Sequence, residues 1–195
     1  MASSSEAAGG SAIGARRERF LGLTGPHVAA MLRTARVMIR DADRADDAVQ
    51  EALLRAWKYF DGFDATRDVR VWLFAILRNV IFQAGRKRGR EAGTASLDEV
   101  GAESVAGRAA PPIDRLTNQE ILAAIEKLPE ELRMVVLLGL VEQLKYREIA
   151  AALDIPIGTV MSRHFRARQL LRFHLRAYAT DGTDGPASGG GSRVA

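Results

Sequence analysis

No cysteine occurs among the 195 residues, which excludes disulfide staples, thiolate metal sites and a cysteine nucleophile and fits a reducing compartment. The three histidines, His27, His164 and His174, are too scattered for a metal-ligand set. No glycine-rich loop of the phosphate-cradling type is present, and no carboxylate pairs with an activating partner in sequence, so a helical enzyme finds little support. The N-terminal stretch "MASSSEAAGGSAIGARRERF" lacks the apolar core of a signal peptide. Nor does any run reach the roughly 18 apolar residues that a membrane helix needs. A soluble, cytoplasmic protein with no catalytic site, no cofactor, no metal and no membrane partner is expected.

What is present is enough apolar material, 47% of residues, for one medium or two small cores. The formal charge is only +4, while a pI near 9.8 hints at an anionic partner; any strong electrostatic role must come from where the charges stand. Three stretches are rich in small residues: 1–15, 91–112 and 180–195. Such composition buries too little apolar surface to offset the entropy of ordering, which predicts a loose tail at each end and a flexible linker between two domains, 16–90 and 113–179.

In the first domain Val28, Met31, Leu32, Ala35 and Ile39 recur at helical spacing. So do Val49, Ala52, Leu53, Ala56, Trp57 and Phe60, and then Val69, Trp72, Leu73, Ile76, Leu77 and Val80. The breaks fall in "RDADRAD" (40–46) and "DGFDATRD" (61–68). Trp57 and Trp72 lie on these stripes and are read as core. After the linker, helices are expected over 116–128, ending before Pro129, and over 132–140, with two more to follow. Without any alternating pattern, the fold class is all-α: two small helical domains on a flexible linker.

The segment "YREIAAALDIPIGTVMSRHFRARQLLRF" (146–173) has the form of a helix-turn-helix: a short amphipathic helix, a break at 154–156, and a longer helix opened by Gly158 and Thr159. On the longer helix Val160, His164, Ala167 and Leu171 share one face. Met161, Ser162, Phe165, Arg166 and Gln169 share another, the one a DNA major groove would meet, with Arg163, Arg168, Arg172 and Arg176 around it to hold phosphates. A charge run alone is more often a solvated face. The tight turn, and the absence of any acid from 155 to 178, shift the reading to DNA binding.

This stretch with the residues before it, "LPEELRMVVLLGLVEQLKYREIAAALDIPIGTVMSRHFRAR", resembles the sigma-4 domain of extracytoplasmic-function (ECF) sigma factors of bacterial RNA polymerase. "DRADDAVQEALLRAWKYFDGFD" and "VRVWLFAILRNVIFQAGRKRGRE" resemble the sigma-2 domain of the same family. The resemblance implies a transcription initiation factor that binds core polymerase through the β′ clamp and β flap, recognises the minus-35 and minus-10 promoter elements and helps melt the promoter. A stress regulon, an anti-sigma factor as partner, and a linker threaded through the polymerase are also implied.

By the same resemblance, Asp46, Asp47, Gln50, Glu51, Leu54 and Arg55 form the face for core polymerase. Arg78 and Asn79 lie against the minus-10 element, and Phe63, Asp64 and Thr66 sit in the loop that captures a flipped base. Arg86, Lys87 and Arg88 extend a basic helix suited to single-stranded DNA. Lys145, Tyr146 and Arg147 would touch backbone phosphate near the minus-35 element, and Thr159, Met161, Ser162, Arg163, Phe165, Arg166 and Arg168 would meet the element itself. Two positions depart from the family pattern: Met161 stands where many members have a basic residue, and His164 where the stripe is usually aliphatic. A helix-turn-helix repressor or a response-regulator output protein is the alternative, but neither needs the sigma-2-like half.

Overall fold

The computed structural model describes residues 3–91 and 118–180, and these form eight α-helices with no strand among them. The linker expected at 91–112 and the tail expected beyond 180 lie almost wholly outside the described residues. The N-terminal domain comprises α1 (Ser3–Thr24), a 3-10 turn (Gly25–His27), α2 (Val28–Ile39), α3 (Ala42–Tyr59), a second 3-10 turn (Phe60–Gly62) and α4 (Val69–Glu91). The C-terminal domain comprises α5 (Asn118–Glu126), α6 (Glu130–Val136) running into a π turn (Leu137–Val141), α7 (Tyr146–Leu153) and α8 (Ile157–Thr180).

The apolar stripes become the core. Met31, Ala35, Ala45, Ala48, Val49, Ala52, Ala56, Leu73 and Leu77 are buried, and the small alanines on α3 let α2 approach it closely. Trp57 and Trp72 are half-buried against this core. In the second domain Ile125, Leu128, Met134, Leu137, Leu138, Ile149, Val160, Ala167 and Leu171 do the same. Each such leucine or isoleucine contributes about 1.5–3 kcal/mol by leaving water.

The structure differs from the sequence reading in three places, two of them with a local cause. Residues 3–15, expected as a loose tail, are the first turns of α1. The break expected over 40–46 shrinks to Arg40 and Asp41: Arg40 ends α2 in the left-handed region (φ 62°) and the Asp41 carboxylate caps α3 by accepting the Arg44 N–H at 3.1 Å. The charged residues after it are therefore exposed helix, not loop. The helix expected to Leu140 widens into a π turn, in which Glu142 N–H donates to Leu137 C=O at 3.0 Å; this turns Leu137 and Leu138 inward and leaves Leu140 exposed.

The two domains also touch. Arg133 on α6 donates to Glu126 C=O (2.7 Å) and Leu128 C=O (2.8 Å) in its own domain, and more weakly to Val37 C=O and Met38 C=O at the end of α2 (3.4 Å each). Arg40 reaches across to the same Glu126 carbonyl at 2.7 Å. Arg33 pairs with Glu142 at 3.2 Å, and α4 packs along α7. Cations thus close the carbonyl ends of two helices from different domains.

Candidate nucleic-acid interface

The helix-turn-helix is held by backbone geometry at 154–156. Asp154 ends α7 at φ 50°, ψ 50°, a conformation its short polar side chain tolerates, and the Asp154 and Ile155 N–H groups both donate to Ala150 C=O. Pro156 then supplies the carbonyl that receives the Thr159 and Val160 N–H groups at 2.9 and 3.1 Å, starting α8. At the other end of α7, the Glu148 carboxylate accepts the Lys145 N–H at 2.7 Å.

Along α8, Val160, His164, Ala167 and Leu171 are buried, and Met161, Ser162, Phe165, Arg166, Arg168, Gln169 and Arg172 are exposed. His164 is 8% exposed and its Nδ1 lies 3.0 Å from the Tyr146 hydroxyl. Burial, and then the nearby Arg168 charge, push its imidazole below the ordinary value of 6.5. Tyr146, expected to touch phosphate, therefore uses its hydroxyl to tie α7 to α8. Arg163 is half-buried and pairs with Glu131 on α6, and the Ser162 hydroxyl donates to Thr159 C=O at 3.1 Å. Lys145 and Arg147 are exposed beside Tyr146, and Thr159 is half-buried. The expected residues thus split into an outward set and a set engaged within the domain.

In the N-terminal domain, Phe63, Asp64 and Thr66 do share one loop. The Phe63 ring lies 4.6 Å from Trp72 and 6.4 Å from Phe60. Asp64 accepts the Thr66 N–H and hydroxyl at 3.0 and 2.7 Å, and the hydroxyl bond foremost holds its carboxyl below the usual 3.8. Asp68 caps α4 by accepting the Arg70 N–H at 2.8 Å. The basic helix α4 continues through residues 87 and 88, but the side chains of Lys87 and Arg88, like that of Arg176, lie outside the described residues. Arg86 is exposed. Arg78 donates to the Asn79 side-chain oxygen at 3.0 Å.

Asn79 opens into a groove of about 540 Å³ between α3 and α4, lined also by Glu51, Leu54, Arg55 and Tyr59. Three residues expected to meet polymerase, Glu51, Leu54 and Arg55, thus share one groove with Asn79 of the set expected at the minus-10 element. Asp47 and Gln50 are exposed on the same helix, whereas Asp46 is half-buried and paired with Arg36 at 3.1 Å. Leu54 and Tyr59 stand 64% and 61% exposed. Tyr59 was missed from sequence because it lies between Trp57 and Phe60, off the apolar stripe.

Also missed was α1. Its Arg16 donates to Asp61 at 2.7 Å and to Trp57 C=O at 2.8 Å, with the guanidinium 3.9 Å over the Trp57 ring. Phe20 meets Trp57 and Phe60 edge-on at 5.2 and 5.1 Å. This helix braces the end of α3 just before the Phe63 loop; the "ARRERF" run was the only signal for it.

Comparisons with known proteins divide the chain at the same places. A sigma-70 region 2 family model matches residues 24–91, and a sigma-70 region 4 model matches 118–171. The ECF RNA polymerase sigma-E factor of Escherichia coli (strain K12) is 36% identical over 134 residues, 64% of this chain and 70% of that protein. The ECF RNA polymerase sigma factor EcfG of Rhodopseudomonas palustris (strain TIE-1) is 39% identical over 132 residues, 67% and 71% of the two chains. Among solved structures, the sigma factor RpoE in complex with the anti-sigma factor NepR from Bartonella quintana matches with a TM-score of 0.67 and 32% identity, over 82% of this chain and 98% of that one. CnrH in complex with the cytosolic domain of CnrY shares the fold, with a TM-score of 0.57 at 23% identity.

Proposed function

The chain belongs to the ECF group of the sigma-70 family, the transcription initiation factors of bacterial RNA polymerase, and from that premise we propose how its residues share the work. The N-terminal domain binds core polymerase through Asp47, Gln50, Glu51, Leu54 and Arg55, with Tyr59 added to the set. The adjoining α4 and the Phe63 loop hold the melted minus-10 strand, where Asn79 opens into the shared groove. In the C-terminal domain α8 enters the major groove at the minus-35 element. The observation that carries this is the surface of α8: an acid-free helix presenting Met161, Phe165, Arg166 and Gln169 outward, with Arg168 and Arg172 beside them.

Arg166 reads a base edge and Arg172 holds phosphate. Arg166→Ala costs about 1–3 kcal/mol of discrimination at one or two base pairs, whereas Arg172→Ala weakens all sequences alike and flattens the salt dependence by about one unit of slope. Equal weakening of every sequence by Arg166→Ala would make α8 a phosphate clamp.

An anti-sigma factor is the regulatory partner; support comes from the 32% identical Bartonella sigma factor, whose structure was solved with one. Control of a stress regulon and action in the cytoplasm, where core polymerase works, belong to the same proposal. A repressor leaves residues 24–91 without a role and is not favoured. Transcription by purified core polymerase with and without this protein, followed by start-site mapping, tests the assignment. A reproducible pair of upstream motifs is expected, and no specific start sites with the protein present would overturn it.

A further inference from the structure

The part of α8 that faces outward nearest the turn is apolar. Met161 is 53% and Phe165 65% exposed, an arrangement that costs free energy in water unless something covers it. With Tyr146, His164, Arg168, Gln169 and Arg172 these two side chains line a hollow of about 260 Å³. Polar groups beside Met161 and Phe165 are already engaged: the Tyr146 hydroxyl and His164 Nδ1 bond each other, and the Ser162 hydroxyl on the next position of the helix is turned back to Thr159 C=O, while Gln169 stands at the edge of the hollow. What remains at Met161 and Phe165 is apolar surface, and the rim is cationic through Arg168 and Arg172.

A duplex presents one apolar group in its major groove, the C5-methyl of thymine, flanked by phosphates. Apolar floor and cationic rim match that pairing. We propose that Met161 and Phe165 form a seat for thymine methyl groups of the minus-35 element, making Met161 a specificity-determining residue of this chain. The inference rests on α8 entering the minus-35 major groove. An apolar helix of a protein partner is the other possible occupant; the arginine rim and the absence of acid from 155 to 178 favour the polyanion.

The test replaces each thymine of the mapped minus-35 element, on both strands, by 2′-deoxyuridine, which removes the methyl alone. Binding of holoenzyme reconstituted from core polymerase and the full chain is then measured. At one or two positions the affinity falls about three- to fivefold, the worth of one buried methyl-sized group. Met161→Ala holoenzyme no longer distinguishes uracil from thymine there, while Met161→Leu still does. Three results would overturn the seat. If uracil reads as thymine throughout while Arg172→Ala still weakens binding, the seat is absent and α8 remains the minus-35 helix. If neither uracil nor any α8 substitution matters, the minus-35 reading falls and the seat with it. If Met161→Ala keeps full uracil sensitivity, the methyl is read elsewhere and the hollow is left to a protein partner.

Discussion

His164 sits on an apolar stripe, between Val160 and Ala167, and is tolerated there because its Nδ1 has the Tyr146 hydroxyl as a partner. Because burial lowers the folded-state pKa below that of the unfolded chain, the unfolded state binds more protons as pH falls. The stabilisation is therefore complete above about pH 6.5 and is lost below it. His174 is shifted the same way, by burial and then Lys127, and Asp64 and Asp68 lose their contributions only nearer 3.8. Glu142 opposes them, since burial raises its carboxyl and its contribution grows on acidification. The difference between wild type and His164→Leu isolates this histidine. Thermal unfolding across pH 5–8 is expected to show a smaller acid-side loss of Tm in the variant, and parallel curves would show that His164 binds protons equally in the folded and unfolded states.

At the scale of elements, the turn between α7 and α8 depends on a left-handed residue and the helices around it do not. Asp154→Val places a β-branched side chain at φ 50° and is expected to cost about 1–2 kcal/mol, read as a lower urea midpoint with unchanged slope. Asp154→Gly is expected to be neutral or stabilising. A destabilising glycine would mean that the carboxylate, not the backbone, holds the turn. On the other domain, α1 braces the Phe63 loop through Arg16. Arg16→Ala removes a charged hydrogen bond to Trp57 C=O and the stacking on its ring, and is expected to cost about 1–2 kcal/mol. Asp61 adds little because it is largely exposed. Promoter melting by Arg16→Ala holoenzyme is expected to suffer more than its binding to core polymerase; an equal loss of both would make α1 a general support.

At the scale of the molecule, a linker of the kind expected from the sequence would by itself leave the domains independent, yet arginines from each close helix ends of the other. Arg133 is the centre of that contact. Its guanidinium is half-buried, which pushes its pKa down, its Nε has no partner, and its terminal nitrogens serve carbonyls of α2, α5 and the turn after α5. Arg133→Ala removes the guanidinium from Leu128, Val37 and Met38 C=O and leaves Glu126 C=O to Arg40 alone; it is expected to lower stability by about 2–3 kcal/mol and to enlarge the radius of gyration measured by small-angle scattering. Unchanged scattering would show that the domain contact survives on Arg33, Arg40 and the packing of α4 on α7.

The sequence by itself determined the helices, because their apolar repeats at 3.6-residue spacing record which face each must bury. It also determined the helix-turn-helix, whose turn is written in Asp154, Ile155 and Pro156, and the acid-free faces of α4 and α8. Only the tertiary structure decided which exposed polar groups remain available. Arg163 and Glu131, or Tyr146 and His164, pair across helices, and nothing in the spacing along one helix reports a partner on another. The same holds for the brace of α1 and for the domain contact, where arginines meet backbone carbonyls up to 96 residues away. Every residue type carries a backbone carbonyl, so such a bond leaves no mark in the pattern of side chains. It exists only once two helix ends have been brought together.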